Sequence, residues 1–263
     1  MKIVVLCENT SNRKGIGCEH GLSLWCESQG RKFLFDAGQT SLFAENAAAK
    51  GVNLKEAEFA VLSHGHYDHG GGIFEFMRLN SHAPIYVNEN AFGEFYNASG
   101  KFIGLDSDLR QSPRLIFTQN EYEIAEGLRL FTCNGEHLKY PVRSLSLTVR
   151  RGGAAQEDDF LHEQYLLVQE GSKRILLSGC SHKGVLNLVE RFQPDILVGG
   201  FHFNKFDVNG KDAKFLDEAA DYLLSRKSLY YTCHCTGVPQ YEYLRRRMGE
   251  RIGYLSSGDC LEI

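Results

Sequence analysis

The sequence concentrates its chemistry in one stretch, Val61-Leu62-Ser63-His64-Gly65-His66-Tyr67-Asp68-His69-Gly70-Gly71-Gly72. Three histidines and an aspartate fall within six residues, directly after a short apolar run. Imidazole nitrogen and carboxylate oxygen are the usual ligands of zinc and similar divalent ions. A loop leaving a strand can turn all four side chains to one side, and Gly65 and the glycines that follow relieve the crowding. The residues that could hold a metal are therefore His64, His66, Asp68 and His69. A His-rich surface turn is the alternative, and it explains neither the spacing nor the apolar lead-in.

The surrounding elements must place this loop. Lys2–Leu6, Gly21–Cys26 and Arg31–Phe35 read as strands, and Ser41–Lys50 as a helix stopped by Gly51. Phe59–Leu62 reads as the buried strand that feeds the histidines. The span from Ile73 to Arg150 mixes short apolar runs with Asn, Ser and Gly clusters, and reads as irregular structure or an insertion carrying substrate contacts. Beyond Gly153 the pattern is regular. Gln164–Gln169 and Arg174–Leu177 form a hairpin around Glu170-Gly171, Val185–Phe192 a helix, Ile196–Val198 a strand, and Ala213–Arg226 an amphipathic helix. Leu229–Thr232 is a further strand, Gln240–Met248 a helix stopped by Gly249, and Arg251–Leu255 a closing strand. This order fits an α/β fold of two central sheets flanked by helices.

The pattern His64-x-His66-x-Asp68-His69 after an apolar strand resembles the signature of the metallo-β-lactamase superfamily. The resemblance covers the whole chain and implies an αββα sandwich; one domain spanning 1–263 is expected, in which 73–150 is irregular structure or a substrate-contacting insertion. It implies that Asp36, in Phe35-Asp36-Ala37-Gly38, lies beside the metals. It further implies a later histidine, a bridging aspartate and a last histidine. His182, in Ser178-Gly179-Cys180-Ser181-His182, and His234, in Cys233-His234-Cys235, fill the histidine roles. Cys180 stands where the aspartate is normal; it is either a thiolate ligand or a small buried hydrophobe. On a regular strand Cys233 and Cys235 point away from His234 and serve packing. His137 is an alternative ligand, although an ordinary structural histidine is the simpler reading.

Four segments narrow the resemblance: Glu19-His20-Gly21-Leu22-Ser23, Gly179-Cys180-Ser181-His182, Gly199-Gly200-Phe201-His202-Phe203 and His234-Cys235-Thr236-Gly237. They are similar to the branch named for 7,8-dihydropterin-6-yl-methyl-4-(β-D-ribofuranosyl)aminobenzene 5′-phosphate synthase. His202 follows a Gly-Gly pair and is a candidate general acid or phosphate contact, alongside Asp68 as a catalytic residue; His20 has similar standing. Lys183 and Lys205 neighbour site residues and could attract a phosphate, or be plain exposed lysines.

The expected cofactor is one or two divalent metal ions, zinc first, with manganese or iron open. His64, His66 and His182 would hold the first; Asp68, His69 and His234 would hold the second, joined by Cys180 where it serves as a thiolate ligand. The ions would act as Lewis acids and lower the pKa of water from about 15.7 toward about 7. The expected activity is hydrolysis of a small phosphorylated or acyl substrate. One alternative is a pterin-linked transferase releasing pyrophosphate; another is a non-catalytic metal-binding sensor. A redox di-iron role is disfavoured, because His66 stands where di-iron relatives place a glutamate.

The chain has 263 residues, 43% hydrophobic and 24% charged, with formal net charge −4 and both signs mixed along it. No basic face is present for a phosphate backbone, so a small-molecule substrate is expected and nucleic acid is not. No stretch approaches the roughly 18 consecutive apolar residues of a membrane span. The N-terminus lacks a signal-peptide pattern, and the 8 scattered cysteines suggest reduced thiols. These features point to the cytoplasm.

Overall fold

The computed structural model describes residues 1–263. Its N-terminal half runs β1 (Lys2–Cys7), β2 (Ser23–Ser28), β3 (Arg31–Phe35), α1 (Leu42–Ala49), β4 (Phe59–Val61), α2 (Tyr67–Gly70), α3 (Ile73–Leu79), β5 (Ile85–Asn88), β6 (Glu94–Tyr96) and β7 (Leu115–Thr118). Then follow β8 (Glu121–Ala125), β9 (Leu128–Phe131), β10 (Thr148–Arg151), β11 (Ala154–Glu157), β12 (Tyr165–Glu170), β13 (Lys173–Ser178) and α4 (Val185–Phe192). The chain ends with β14 (Ile196–Gly199), α5 (Ala213–Ser225), β15 (Leu229–Thr232), α6 (Val238–Met248), β16 (Ile252–Tyr254) and β17 (Cys260–Glu262).

One sheet has the order β17-β1-β2-β3-β4-β5-β7 and the other β16-β15-β14-β13-β12-β9-β8. The two-residue period of a strand explains their layering. In β1, Ile3 and Val5 enter the core between the sheets while Val4 and Leu6 enter the core under α1 and α3. In β3, Phe33 and Phe35 face inward and Leu34 outward. Ile175 and Leu177 of β13 do the same, with Leu176 turned toward the α4–α6 layer. Both faces of these strands are buried, which is why they read as unbroken apolar runs. Each such side chain contributes about 1.5–3 kcal/mol on burial. The result is the αββα sandwich expected from the sequence. No helix is long and apolar enough to cross a membrane.

The span 73–150 departs from its irregular reading. It supplies α3 and the strands β5, β7, β8 and β9, all members of the two main sheets. These strands are four or five residues long and separated by polar turns, too short to show a period. What stands apart is a three-stranded sheet, β11-β10-β6, lying beside the site. The closing element also differs. β16 is the edge of the second sheet, and β17 completes the first by pairing Ile3 with Leu261.

Candidate metal centre

Every candidate ligand follows the carboxyl end of a strand, the usual place for a site in sheets with parallel strands. β3 delivers Asp36, β4 the segment His64–His69, β13 Cys180 and His182, β14 His202, and β15 His234. Asp36, Ser181, His202 and His234 take left-handed backbone angles, φ 57°, 54°, 56° and 49°. Such angles cost about 1–3 kcal/mol each and persist only where the surroundings enforce them. At His234 the enforcement is visible, since the Glu8 carboxylate accepts its N–H at 2.6 Å. The single turn α2 sets Asp68 and His69 side by side, with His66 at its N-terminus.

The outer faces of the rings are committed to hydrogen bonds that leave the inner nitrogens bare. Asp36 Oδ2 accepts from Ser63 Oγ at 2.7 Å and from His69 Nδ1 at 2.7 Å. Having donated to Asp36, the Ser63 hydroxyl accepts from His64 Nδ1 at 2.8 Å. His234 Nδ1 donates to Asn9 Oδ1 at 2.7 Å. With Nδ1 bonded outward, Nε2 is the atom that His64, His69 and His234 turn inward; His69, which Asp36 and Asp68 raise to about 9 against burial, gives up its Nε2 proton when a metal binds. The Asn9 amide lies 3.3 Å from His20 Nδ1, so His20 holds its proton on Nε2 and donates it to Asp68 Oδ2 at 3.1 Å. These partners orient the rings as outer contacts do around bound metals.

The inner atoms fall into two groups. His64, His66 and His182 place donor nitrogens within 4.8 Å of one another. His64 Nε2 and His182 Nε2 are 3.3 Å apart, and His66 Nε2 and His182 Nδ1 are buried without partners. In the second group His69 Nε2 lies 3.1 Å from His234 Nε2 and 3.3 Å from Cys180 Sγ. Asp68 Oδ2 lies 3.3 Å from His234 Nε2 and 3.8 Å from His69 Nε2. A tetrahedral zinc with bonds of about 2.0–2.3 Å has ligand–ligand edges of about 3.3–3.8 Å. The donor sets therefore fit divalent ions, and Cys180 stands with the second group.

Burial holds His64 and His182 well below the usual imidazole range and brings His66 down to about 3. The three rings are neutral, as metal ligation requires. Burial opposes ionisation of Asp68, but His69, His20 and His234 outweigh it and hold that carboxyl well below its usual range.

A cleft of about 200 Å³ opens onto both groups. Tyr67, Ile103, Leu145 and Leu147 form an apolar wall; Asn97, Asn204 and Lys205 add polar contacts. His20 and His202 line the cleft too, and both ring nitrogens of His202 lack partners. Lys183 does not reach it. That side chain is buried and bonded to Asn134, because its backbone is held by Glu163. His137 is exposed and outside the cluster.

Cys235 corrects the regular-strand expectation. β15 ends at Thr232, and His234–Thr236 form a 3-10 turn that brings Cys235 to the cleft wall. Cys233 stays in the core between the sheets. The sequence also hid Glu8, Asn9, Ser63, His162 and Glu163. Glu163 accepts the His182 and Lys183 N–H groups at 2.8 and 3.1 Å. His162 Nδ1 accepts the Gly65 N–H at 3.0 Å, with Nε2 3.2 Å from Asp158. Glu8-Asn9 at a strand end was a legible polar pair; the others precede or adjoin elements without a distinguishing pattern.

The sequence model of the metallo-β-lactamase superfamily matches residues 16–181. An uncharacterised protein of Methanocaldococcus jannaschii is 29% identical over 247 residues, 89% of this chain and 90% of its own. The same organism's 7,8-dihydropterin-6-methyl-4-(β-D-ribofuranosyl)-aminobenzene-5′-phosphate synthase is 25% identical over 292 residues, spanning 100% of this chain and 96% of that protein. A crystal structure of a metal-dependent hydrolase of the β-lactamase superfamily superposes with a TM-score of 0.81 at 26% identity, covering 100% of this chain and 99% of the other.

Proposed function

This chain belongs to the metallo-β-lactamase superfamily, and from that membership we propose that it is a metal-dependent hydrolase of a small phosphorylated or acyl substrate. The observation that carries the reading is the convergence of bare imidazole nitrogens whose outer faces are already hydrogen-bonded. His64, His66 and His182 hold one divalent ion, and Asp68, His69, His234 and Cys180 a second, with zinc the first choice for this donor set. Such ions supply Lewis acidity toward a phosphoryl or carbonyl oxygen and lower the pKa of water from about 15.7 toward about 7.

The protein's own groups do the rest. His20 Nε2–H fixes Asp68 Oδ2 toward the cleft, where that oxygen orients the attacking water. His202, 4.3 Å from His182 between ring centroids, has a ring nitrogen free to protonate the leaving group. Lys205 attracts an anionic end of the substrate, and Tyr67, Ile103, Leu145 and Leu147 enclose its apolar part and exclude water. The test is a panel of phosphomonoesters, phosphodiesters and lactones offered to zinc-reconstituted protein. Turnover of one class is expected, with His202→Gln lowering kcat about 10²–10⁴-fold. Inertness toward all three classes would refute the hydrolase reading.

A pterin-linked transferase is the second reading, supported by the full-length similarity to the archaeal synthase. Pyrophosphate release from dihydropterin-methyl diphosphate that depends on an aryl-amine ribose phosphate acceptor, with a coupled product, would establish it in place of hydrolysis.

A further inference from the structure

Cys180 and Cys235 face each other inside the centre. Their sulfurs and a His234 ring nitrogen lie within 4.8 Å of one another, and the Cys235 thiol donates to the Cys180 carbonyl at 3.5 Å. The approach is built into the fold. A Cβ on Gly200 would stand 2.3 Å from Cys235 Sγ, so only glycine leaves room for that sulfur. Both residues are 3% exposed yet line the cleft. The other buried cysteines have different surroundings: Cys7 meets the Glu19 carboxylate, Cys26 and Cys233 lie between the sheets, and Cys133 packs under the helices.

We propose that Cys180 and Cys235 form an oxidation site, at which a hydroperoxide makes a disulfide in the metal-free protein. The Cys180 sulfur attacks the peroxide oxygen, giving a sulfenic acid and releasing water or, from an organic peroxide, the alcohol. The Cys235 sulfur then attacks Cys180, and its proton leaves with the hydroxyl as a second water. Two electrons pass from the thiols to the peroxide. Closure takes the sulfurs from within 4.8 Å to the about 2.05 Å of a sulfur–sulfur bond. It also withdraws Cys180 from the second donor group, whose His69 Nε2 is 3.3 Å away. A bound ion ties up the same sulfur, so metal and oxidation compete.

The test uses full-length protein with the exposed Cys18 and Cys260 replaced by serine. Chelated and zinc-loaded samples are treated with hydrogen peroxide and mapped as non-reduced peptides. The expected result is a Cys180–Cys235 linked peptide in the chelated sample, lost on reduction, and at least ten-fold less of it in the loaded sample. Cys235→Ser should instead drive Cys180 on to sulfinic acid, because no resolving thiol remains. Oxidation of wild-type Cys180 to sulfinic acid without a cross-link would overturn the proposal, as would equal cross-linking with and without zinc. The readout is a linked peptide, so it is independent of whether the protein hydrolyses any substrate.

Discussion

Replacing Asp36 by asparagine exchanges one oxygen for an NH₂ group, and its effect spreads to both donor groups. Asp36 Oδ1 accepts the Ser63 N–H at 2.7 Å, and the asparagine oxygen preserves that bond. Oδ2, the atom replaced, accepts from both Ser63 Oγ and His69 Nδ1. An amide nitrogen can only donate there. His69 must then accept at Nδ1 and carry its proton on Nε2, the atom that faces His234 and Cys180. Ser63 Oγ must accept from the amide as well, which turns its own hydrogen toward His64 Nδ1 and moves that ring's proton to Nε2. One ligand nitrogen is lost in each group. Disturbing such an orienting partner costs about 10–100-fold in metal affinity, about 1.4–2.8 kcal/mol for each group. The chelated protein should also lose folding stability, by about 1.5–3 kcal/mol, the scale of a hydrogen bond to a buried charged group. Competition against a chromophoric chelator measures the affinity, and nitrogen NMR of the imidazoles reports the tautomers. An Asp36→Asn protein that binds zinc within two-fold of wild type, with His64 and His69 still protonated on Nδ1, would refute this reasoning.

Phe160 is fully buried and stacks on the His182 ring, with centroids 4.4 Å apart and planes 6° from parallel. Phe160→Ala should cost about 3–5 kcal/mol in chemical denaturation and weaken metal binding by freeing that ring. Gly200→Ala should displace Cys235, against which its Cβ would clash, and slow alkylation kinetics of that thiol would contradict this. The chelated protein should lose stability in acid. Burial brings His66 down to about 3 and holds His64 and His182 well below the unfolded value. The unfolded chain therefore takes up protons first, and stability falls as pH drops from about 6.5, by up to about 1.4 kcal/mol per pH unit for each ring. His69 works the other way: burial opposes its charge, but Asp36 and Asp68 outweigh burial and raise it to about 9. Its contribution is full below about 6.5 and lost as pH rises toward 9. Melting temperatures of the chelated protein should accordingly peak near pH 6.5, and a flat profile between pH 5 and 8 would contradict the burial argument.

The legibility of this protein in its sequence followed local information. Leu229–Thr232 and Val185–Phe192 match the expected bounds because apolar pattern and flanking breakers agree there. The cluster from His64 to His69 is readable because four candidate ligands share one loop. Cys235 was misplaced because a strand period says nothing of where the strand ends, and β15 stops one residue before Cys233. β17 was missed for a related reason: its pairing with β1 spans almost the whole chain and leaves three residues of weak pattern. Glu163 and His162 act through tertiary contacts with His182 and Gly65, which no local spacing encodes.

The chain is expected to hold two divalent ions in two separable donor groups. Equilibrium dialysis against zinc, followed by elemental analysis, tests it most directly with wild type, His66→Ala and His234→Ala. Two equivalents are expected in wild type and about one in each variant, each losing a different position. Unchanged zinc content in both variants, or no zinc in wild type, would contradict it.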